Sequence, residues 1–106
     1  MTYLCALNEL SPYQPKIIAL SMQQSCIVVQ TNQQVNVFLN QCPHAAARLN
    51  FDSDAITALD GYHLYCQLHG AQFDPQTGYC SRGPCQGQSL TQLPCQIIEQ
   101  QLYLVD

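Results

Sequence analysis

Two short segments bring together side chains that bind metals. Cys42-Pro43-His44 and Cys66-Gln67-Leu68-His69-Gly70 each pair one thiol with one imidazole. A deprotonated thiol and a neutral ring nitrogen are both metal donors. Two Cys and two His satisfy two different centres. In a mixed-ligand [2Fe-2S] cluster, two thiolates hold one iron and two imidazoles replace thiolates on the other. In a tetrahedral zinc site the same four donors close around one ion. The first predicts an electron carrier, the second a structural or interaction module. Four donors in two compact boxes are a poor match to isolated core residues.

The elements around the boxes must bring them together. Thr31 is followed by Asn32-Gln33, read as a tight turn, and then by Gln34 to Leu39, where Val35, Val37 and Leu39 alternate onto one face of a strand. That strand runs into the first box. Gly61 to Tyr65 is a second strand that runs into the other box, and Ala71-Gln72-Phe73 is a short return strand. Asp74-Pro75-Gln76-Thr77-Gly78 is a turn. Upstream, Tyr3 to Leu7, Lys16 to Leu20 and Ser25 to Thr31 read as strands, with Ser11-Pro12-Tyr13-Gln14-Pro15 breaking regularity. Leu93 to Glu99 and Leu102 to Val105 form a final hairpin through Gln100-Gln101. In it Ile97, Leu102 and Leu104 close the core. Only Ser53 to Leu59 has a helical look, and it is short. The class is all-β, and both boxes fall where strands end, at loop tips.

With 106 residues, one domain spanning 1–106 is expected. Hydrophobic residues at 47% and a net charge of -4 argue for a globular chain and against disorder. Lys16, Arg48 and Arg82 are the only fixed cations, so a phosphate-binding basic patch is excluded and nucleic acid is not an expected partner. Met1-Thr2-Tyr3 lacks a basic start followed by an apolar run, and no stretch approaches the length of a membrane span. A cytoplasmic location and no membrane partner are expected. Seven Cys is an odd number, so a complete internal disulfide framework is ruled out. Outside the boxes, Cys5, Cys26, Cys80, Cys85 and Cys95 are expected as free thiols in a reducing compartment.

The residues after each box carry a family resemblance. Cys42-Pro43-His44 with Ala47 and Leu49, then Cys66…His69-Gly70…Phe73-Asp74, Thr77-Gly78 and Gly83-Pro84, resemble the Rieske iron–sulfur family, most closely its small ferredoxin-like members. The resemblance runs from about Val35 to Val105. It implies an antiparallel β-sandwich with a cluster-binding subdomain, about residues 40–86, formed by two ligand loops and a proline loop. Gly78-Tyr79-Cys80-Ser81-Arg82-Gly83-Pro84-Cys85 resembles that proline loop. It also implies a [2Fe-2S] cofactor, with Cys42 and Cys66 on a buried iron and His44 and His69 on a solvent-facing one.

Three departures stand out. The family usually has Gly where Ala46 stands and often Pro where Gln67 stands, and the segment between the boxes is longer, which makes Asn50 to Asp60 an insertion-bearing loop. The high-potential respiratory forms carry a Cys in each box, and Ser and Tyr hydroxyls where Ala71 and Phe73 stand here. Hydrogen bonds to sulfur favour the reduced cluster. Their loss predicts a potential near the low end of the roughly -150 to +300 mV Rieske range. Reduction is expected to raise the ring pKa of His44 and His69.

The other chemistry-bearing residues have plainer readings. His63 is expected as an ordinary surface or strand histidine, Asp52, Asp54 and Asp60 as a solvated acidic face, and Tyr62 and Tyr65 as packing residues. Cys80 and Cys85 could form a small-loop disulfide or stay free. No nucleophile–base constellation and no phosphate-cradling loop is present, so the chain is not expected to be an enzyme by itself. It is expected to pass one electron from a reductase to an oxygenase or other oxidoreductase. The alternatives are a small subunit of a larger reductase, of nitrite reductase type, and a zinc-binding interaction module.

Overall fold

Runs such as Cys26-Ile27-Val28-Val29 leave no polar face, so a strand built from them must be covered on both sides. The computed structural model shows how. It describes residues 1–32, 34–43, 47–51 and 53–105. The strands are β1 (Thr2–Ala6), β2 (Lys16–Ala19), β3 (Ser25–Gln30), β4 (Val35–Leu39), β5 (Leu64–Tyr65), β6 (Gln72–Phe73), β7 (Cys80–Arg82), β8 (Gln92–Leu93), β9 (Cys95–Ile98) and β10 (Gln101–Leu104). They form three sheets, ordered β2-β3-β4-β8, β1-β10-β9 and β5-β6-β7. Every pairing between named strands is antiparallel. The all-β, antiparallel expectation holds. The one helical turn among the described residues is a 3-10 turn at Leu7–Glu9, and none of them forms a helix long and apolar enough to cross a membrane.

The four-stranded sheet divides two cores. On one side Cys26, Val28 and Val37 pack with Leu4, Cys5 and Leu102 of the β1-β10-β9 sheet. On the other, Ile27, Val29 and Phe38 pack with Leu64, Phe73, Cys42, Cys66, Cys80 and Cys85. Both box cysteines therefore lie in the second core. The period-2 reading of β4 captured only half of this strand. Val35 and Val37 face the first core as expected, but Phe38 is fully buried on the opposite face. Asn36 is buried as well. Its Nδ2 donates to the Pro75 carbonyl at 3.1 Å and its Oδ1 accepts from Gln92 Nε2 at 3.2 Å, which removes most of the penalty of burying an amide.

Other expectations need correction. Leu93 to Glu99 is not one strand. Pro94 has no N–H to continue a ladder, and there the chain leaves β4 and joins β10. Ile97 does not close the core. It pairs with Leu102 in register, but from the edge strand, and is 48% exposed. The Gly61 to Tyr65 strand shrinks to Leu64–Tyr65, with Gly61 at φ 71 in a turn. Ser53 to Leu59 is not helical. Thr57 bridges to Leu64, and Ile56 is fully buried in the second core. The inserted loop thus adds to the core. The turn expected at Asn32-Gln33 involves Gln33, which lies outside the described residues.

Candidate metal centre

The first box follows β4 and is fixed at its root by a buried amide. Asn40 Nδ2 donates to Ser25 Oγ and to Asn50 Oδ1, both at 2.9 Å, while its Oδ1 accepts the Leu49 N–H at 2.9 Å. Asn50 continues the chain of bonds to Asp54. The Cys42 N–H then donates to the Ala47 carbonyl at 2.7 Å, closing the loop across the box. Cys42 is fully buried. His44, with Ala45 and Ala46, lies outside the described residues.

The second box sits between β5 and β6 and closes in the same manner. The Cys66 N–H donates to the Ala71 carbonyl at 2.8 Å, and the Gly70 N–H returns to the Cys66 carbonyl at 2.8 Å. Gly70 has φ 75, a left-handed turn that suits a residue without Cβ. Cys66 is fully buried, whereas His69 and Leu68 are exposed. Burial pushes the Cys66 thiol above its ordinary pKa. The backbone N–H groups of His69 and Leu68 point at its sulfur and pull the other way, and Cys42, within hydrogen-bonding reach, pushes it further up. Donated N–H groups of this kind stabilise a thiolate ligand and tune its metal.

The third loop leaves β7 and turns over the second box. A Cβ on Gly83 (φ 99) would stand 2.7 Å from the Ala71 Cα, so only glycine permits this approach. Pro84 is exposed, while Cys85 turns inward and is buried. The Cys85 thiol donates to Cys80 Sγ at 2.9 Å, and the Cys80 thiol donates to the Arg82 carbonyl at 3.0 Å. The Cys85 pKa is raised strongly, first by burial, then by its bond to Cys80, with Cys42 contributing. No two of the seven cysteines are joined by a disulfide. Burial, with Cys5 beside it, lifts Cys26 to about 11, and Cys5 and Cys95 are also raised by burial.

The structure thus brings together Cys42 and Cys66 and keeps His69 on the surface of the loop that carries one of them. Two adjacent buried thiols with N–H donors aimed at one sulfur suit the thiolate-held iron of a [2Fe-2S] cluster. An imidazole at the surface suits its other side. An open groove of about 900 Å³ lies beside the second box, but neither box cysteine lines it.

Sequence reasoning missed several residues. Gln67 is a clamp. Its N–H donates to the Leu49 carbonyl at 3.0 Å, its Oε1 accepts the Ser53 N–H at 2.9 Å, and its Nε2 donates to Ser53 Oγ and the Ala55 carbonyl, both at 3.1 Å. The replacement of the family's Pro by a side chain able to reach the inserted loop was the available signal. His63 is not idle either. Its Nδ1 meets Asp60 Oδ2 at 2.6 Å. Asp60 Oδ1 also accepts the N–H groups of Tyr62 and His63, so this acidic side chain organises the turn into β5. Asp54 is exposed but bonded to Asn50, and Asp52 lies outside the described residues. Tyr62 packs against Tyr13 and His63 and donates to Asp74.

Two cysteine-bearing loops meet under a third on an antiparallel β scaffold, an arrangement that suits an iron–sulfur domain. The family model of the Rieske [2Fe-2S] domain matches residues 1–100, and the chain belongs to that family. Its cofactor is the [2Fe-2S] cluster, which decides between the two centres that the donor set left open. No curated protein matches the sequence significantly. Among solved structures, the Sphingomonas yanoikuyae B1 ferredoxin is similar at a TM-score of 0.77 and 24% identity, over 98% of this chain and 96% of that one. A chain of the complex of reduced oxygenase and oxidized ferredoxin in carbazole 1,9a-dioxygenase gives 0.77 and 24%, over 96% and 89%. A protein assigned as a nitrite reductase NADPH small subunit gives 0.68 and 15%, over 99% and 97%. At these identities the likenesses show a shared fold.

Proposed function

We propose that this chain is a one-electron carrier of ferredoxin type, a single domain working between a reductase and an oxygenase or other oxidoreductase. Cys42 and Cys66 hold the inner iron of the cluster, and His44 and His69 the outer one. The observation that carries this reading is the polarity of the second box, with Cys66 fully buried and His69 exposed three residues on. When bound, the cluster supplies one reversible electron. The protein's part is to keep water from the thiolates, to hold N–H donors on Cys66, and to present His69, Leu68 and Pro84 at one exposed end where a partner can approach. The similar ferredoxin found with an oxygenase supports that choice of partner. Five free thiols outside the ligand set suit a reducing compartment, and we place the protein in the cytoplasm.

A small subunit of a larger reductase is the second reading, favoured by end-to-end similarity to the nitrite reductase small subunit. Low-temperature EPR of the dithionite-reduced protein, with iron and sulfide assays, tests the cluster. A rhombic signal with two irons and two sulfides per chain is expected. A colourless, EPR-silent protein containing zinc would end the electron-transfer reading. Co-purification as a stable complex with a large reductase chain would favour the subunit over the mobile carrier.

A further inference from the structure

The proline loop carries two thiols outside the proposed ligand set. Cys80 starts it on β7 and Cys85 ends its descent beyond Pro84, with exposures of 0% and 2%. Their sulfurs stand 2.9 Å apart, less than about 1 Å beyond the ~2.05 Å length of a disulfide bond. The backbone holds them there. The Cys80 N–H donates to the Gln88 carbonyl at 2.8 Å, the Gly87 N–H to the Cys80 carbonyl at 3.2 Å, and the Gln88 N–H to the Cys85 carbonyl at 2.9 Å. These bonds fix both ends of the turn and keep the two sulfurs within about 1 Å of bonding distance.

We propose that Cys80 and Cys85, neither of them a proposed ligand, are an oxidation site closed to a disulfide by a peroxide while the cluster stays in place. One of the two sulfurs gives up its proton and attacks the peroxide as the thiolate; the O–O bond breaks, a sulfenic acid forms, and the departing hydroxide takes the proton as one water. The second thiol displaces the sulfenic oxygen as another water, and the S–S bond forms. Two S–H bonds are broken, two electrons pass to the peroxide, and both thiol hydrogens leave in water. Burial selects the oxidant. It leaves no room for a bulky disulfide at either sulfur, so a small peroxide is the class that reaches the pair. The product staples the loop that covers the second box.

The sequence supplies a readout. Arg82 lies between the two cysteines, so trypsin separates them into peptides 49–82 and 83–106 unless a disulfide joins them. The holoprotein is treated with hydrogen peroxide, unfolded in N-ethylmaleimide to trap remaining thiols, digested and analysed by mass spectrometry. EPR is recorded before unfolding. The expected result is the joined pair, two hydrogens lighter than the separate peptides, with fragment ions placing the bond at Cys80–Cys85 and the rhombic signal retained. Cys80→Ser and Cys85→Ser should each abolish this link in folded, cluster-loaded protein. Recovery of both cysteines alkylated at a dose that oxidises the less buried Cys95 would overturn the proposal. So would a link confined to fractions that have lost their EPR signal, or one made through Cys66 or Cys95.

Discussion

The two ligand loops close alike but are held differently. In each, the Cys N–H donates to the carbonyl five residues on, Cys42 to Ala47 and Cys66 to Ala71. The next residue is Pro43 in one and Gln67 in the other. Proline fixes its own φ and has no N–H to place. Its loop is anchored instead from the root, by Asn40. Gln67 brings an N–H and an amide, and spends them on Leu49, Ser53 and Ala55. The second loop is further pressed by Gly83 onto Ala71. The first box is entered through a residue of fixed φ above a hydrogen-bonded root, while the second is held by hydrogen bonds along its own length. The inserted segment reaches both loops, through Asn50 at the root of the first and through Ser53 and Ala55 at Gln67 of the second.

The sharpest break comes from the proposed ligands. His69→Ala and Cys66→Ala should each eliminate the normal rhombic signal, because in the proposed assignment the second loop supplies one ligand to each iron. An unchanged spectrum in either variant would refute the assignment. The covering contact comes next. Gly83→Ala places a methyl against the Ala71 backbone at a positive φ and should cost about 2 kcal/mol or more, seen as a lower thermal midpoint. Gly87→Ala is the control. It has φ 94 but nothing within 4 Å of an added Cβ, so only about 1 kcal/mol of backbone strain is expected. Equal losses at the two positions would show that the contact with Ala71 contributes nothing to holding the loop.

The clamp itself is the third comparison. Gln67→Ala removes three side-chain hydrogen bonds in an exposed setting, where water replaces much of what is lost, so about 1 kcal/mol is expected. The local effect should be clearer than the global one. The Ser53 amide loses its acceptor and should exchange with deuterium faster, while the Cys42 amide, bonded to Ala47, should not change. If Ser53 exchanged at the wild-type rate, Gln67 would not be the clamp.

What could be read from the sequence divides along a physical line. The boxes, the strand leading into the first and the Asp74–Gly78 turn were legible because ligand types, alternation and glycine or proline turns are local signals; the strand leading into the second box was legible only at its end, and the proline loop only through the family resemblance. β4 was half legible. Its alternating valines gave one face, but the burial of Phe38 and Asn36 comes from a second layer that no local pattern announces. The final hairpin was legible as a hairpin, yet its turn is Glu99-Gln100, both at positive φ, where the usual signal is Asn-Gly. Pro94 was present to split the preceding strand, but an alternating apolar pattern runs through it. Asn40, Gln67 and the Asp60–His63 pair depend on partners that the inserted loop delivers, so only the folded chain shows their roles.

Acid should distinguish the roots of the two loops. The first rests on Asn40, which does not titrate. The second is led in by the turn that Asp60 organises. Its carboxylate is held at about 2, from an ordinary 3.8, chiefly by the Tyr62 N–H and then by the His63 side chain and N–H. A depressed carboxylate pKa contributes stability that is complete above the unfolded value and disappears as pH falls through the folded one. Asp60 therefore supports the turn fully above about pH 4 and loses that contribution toward pH 2. Because the group is exposed, the effect should be the smallest of the four. Asp60→Asn should lower the thermal midpoint slightly at pH 6 and leave it indistinguishable from wild type near pH 2. Carbon-13 titration of the Asp60 carboxyl should show a midpoint well below the usual range. A midpoint near 3.8 would mean that the turn is held by its backbone alone, and that both loop roots are indifferent to acid.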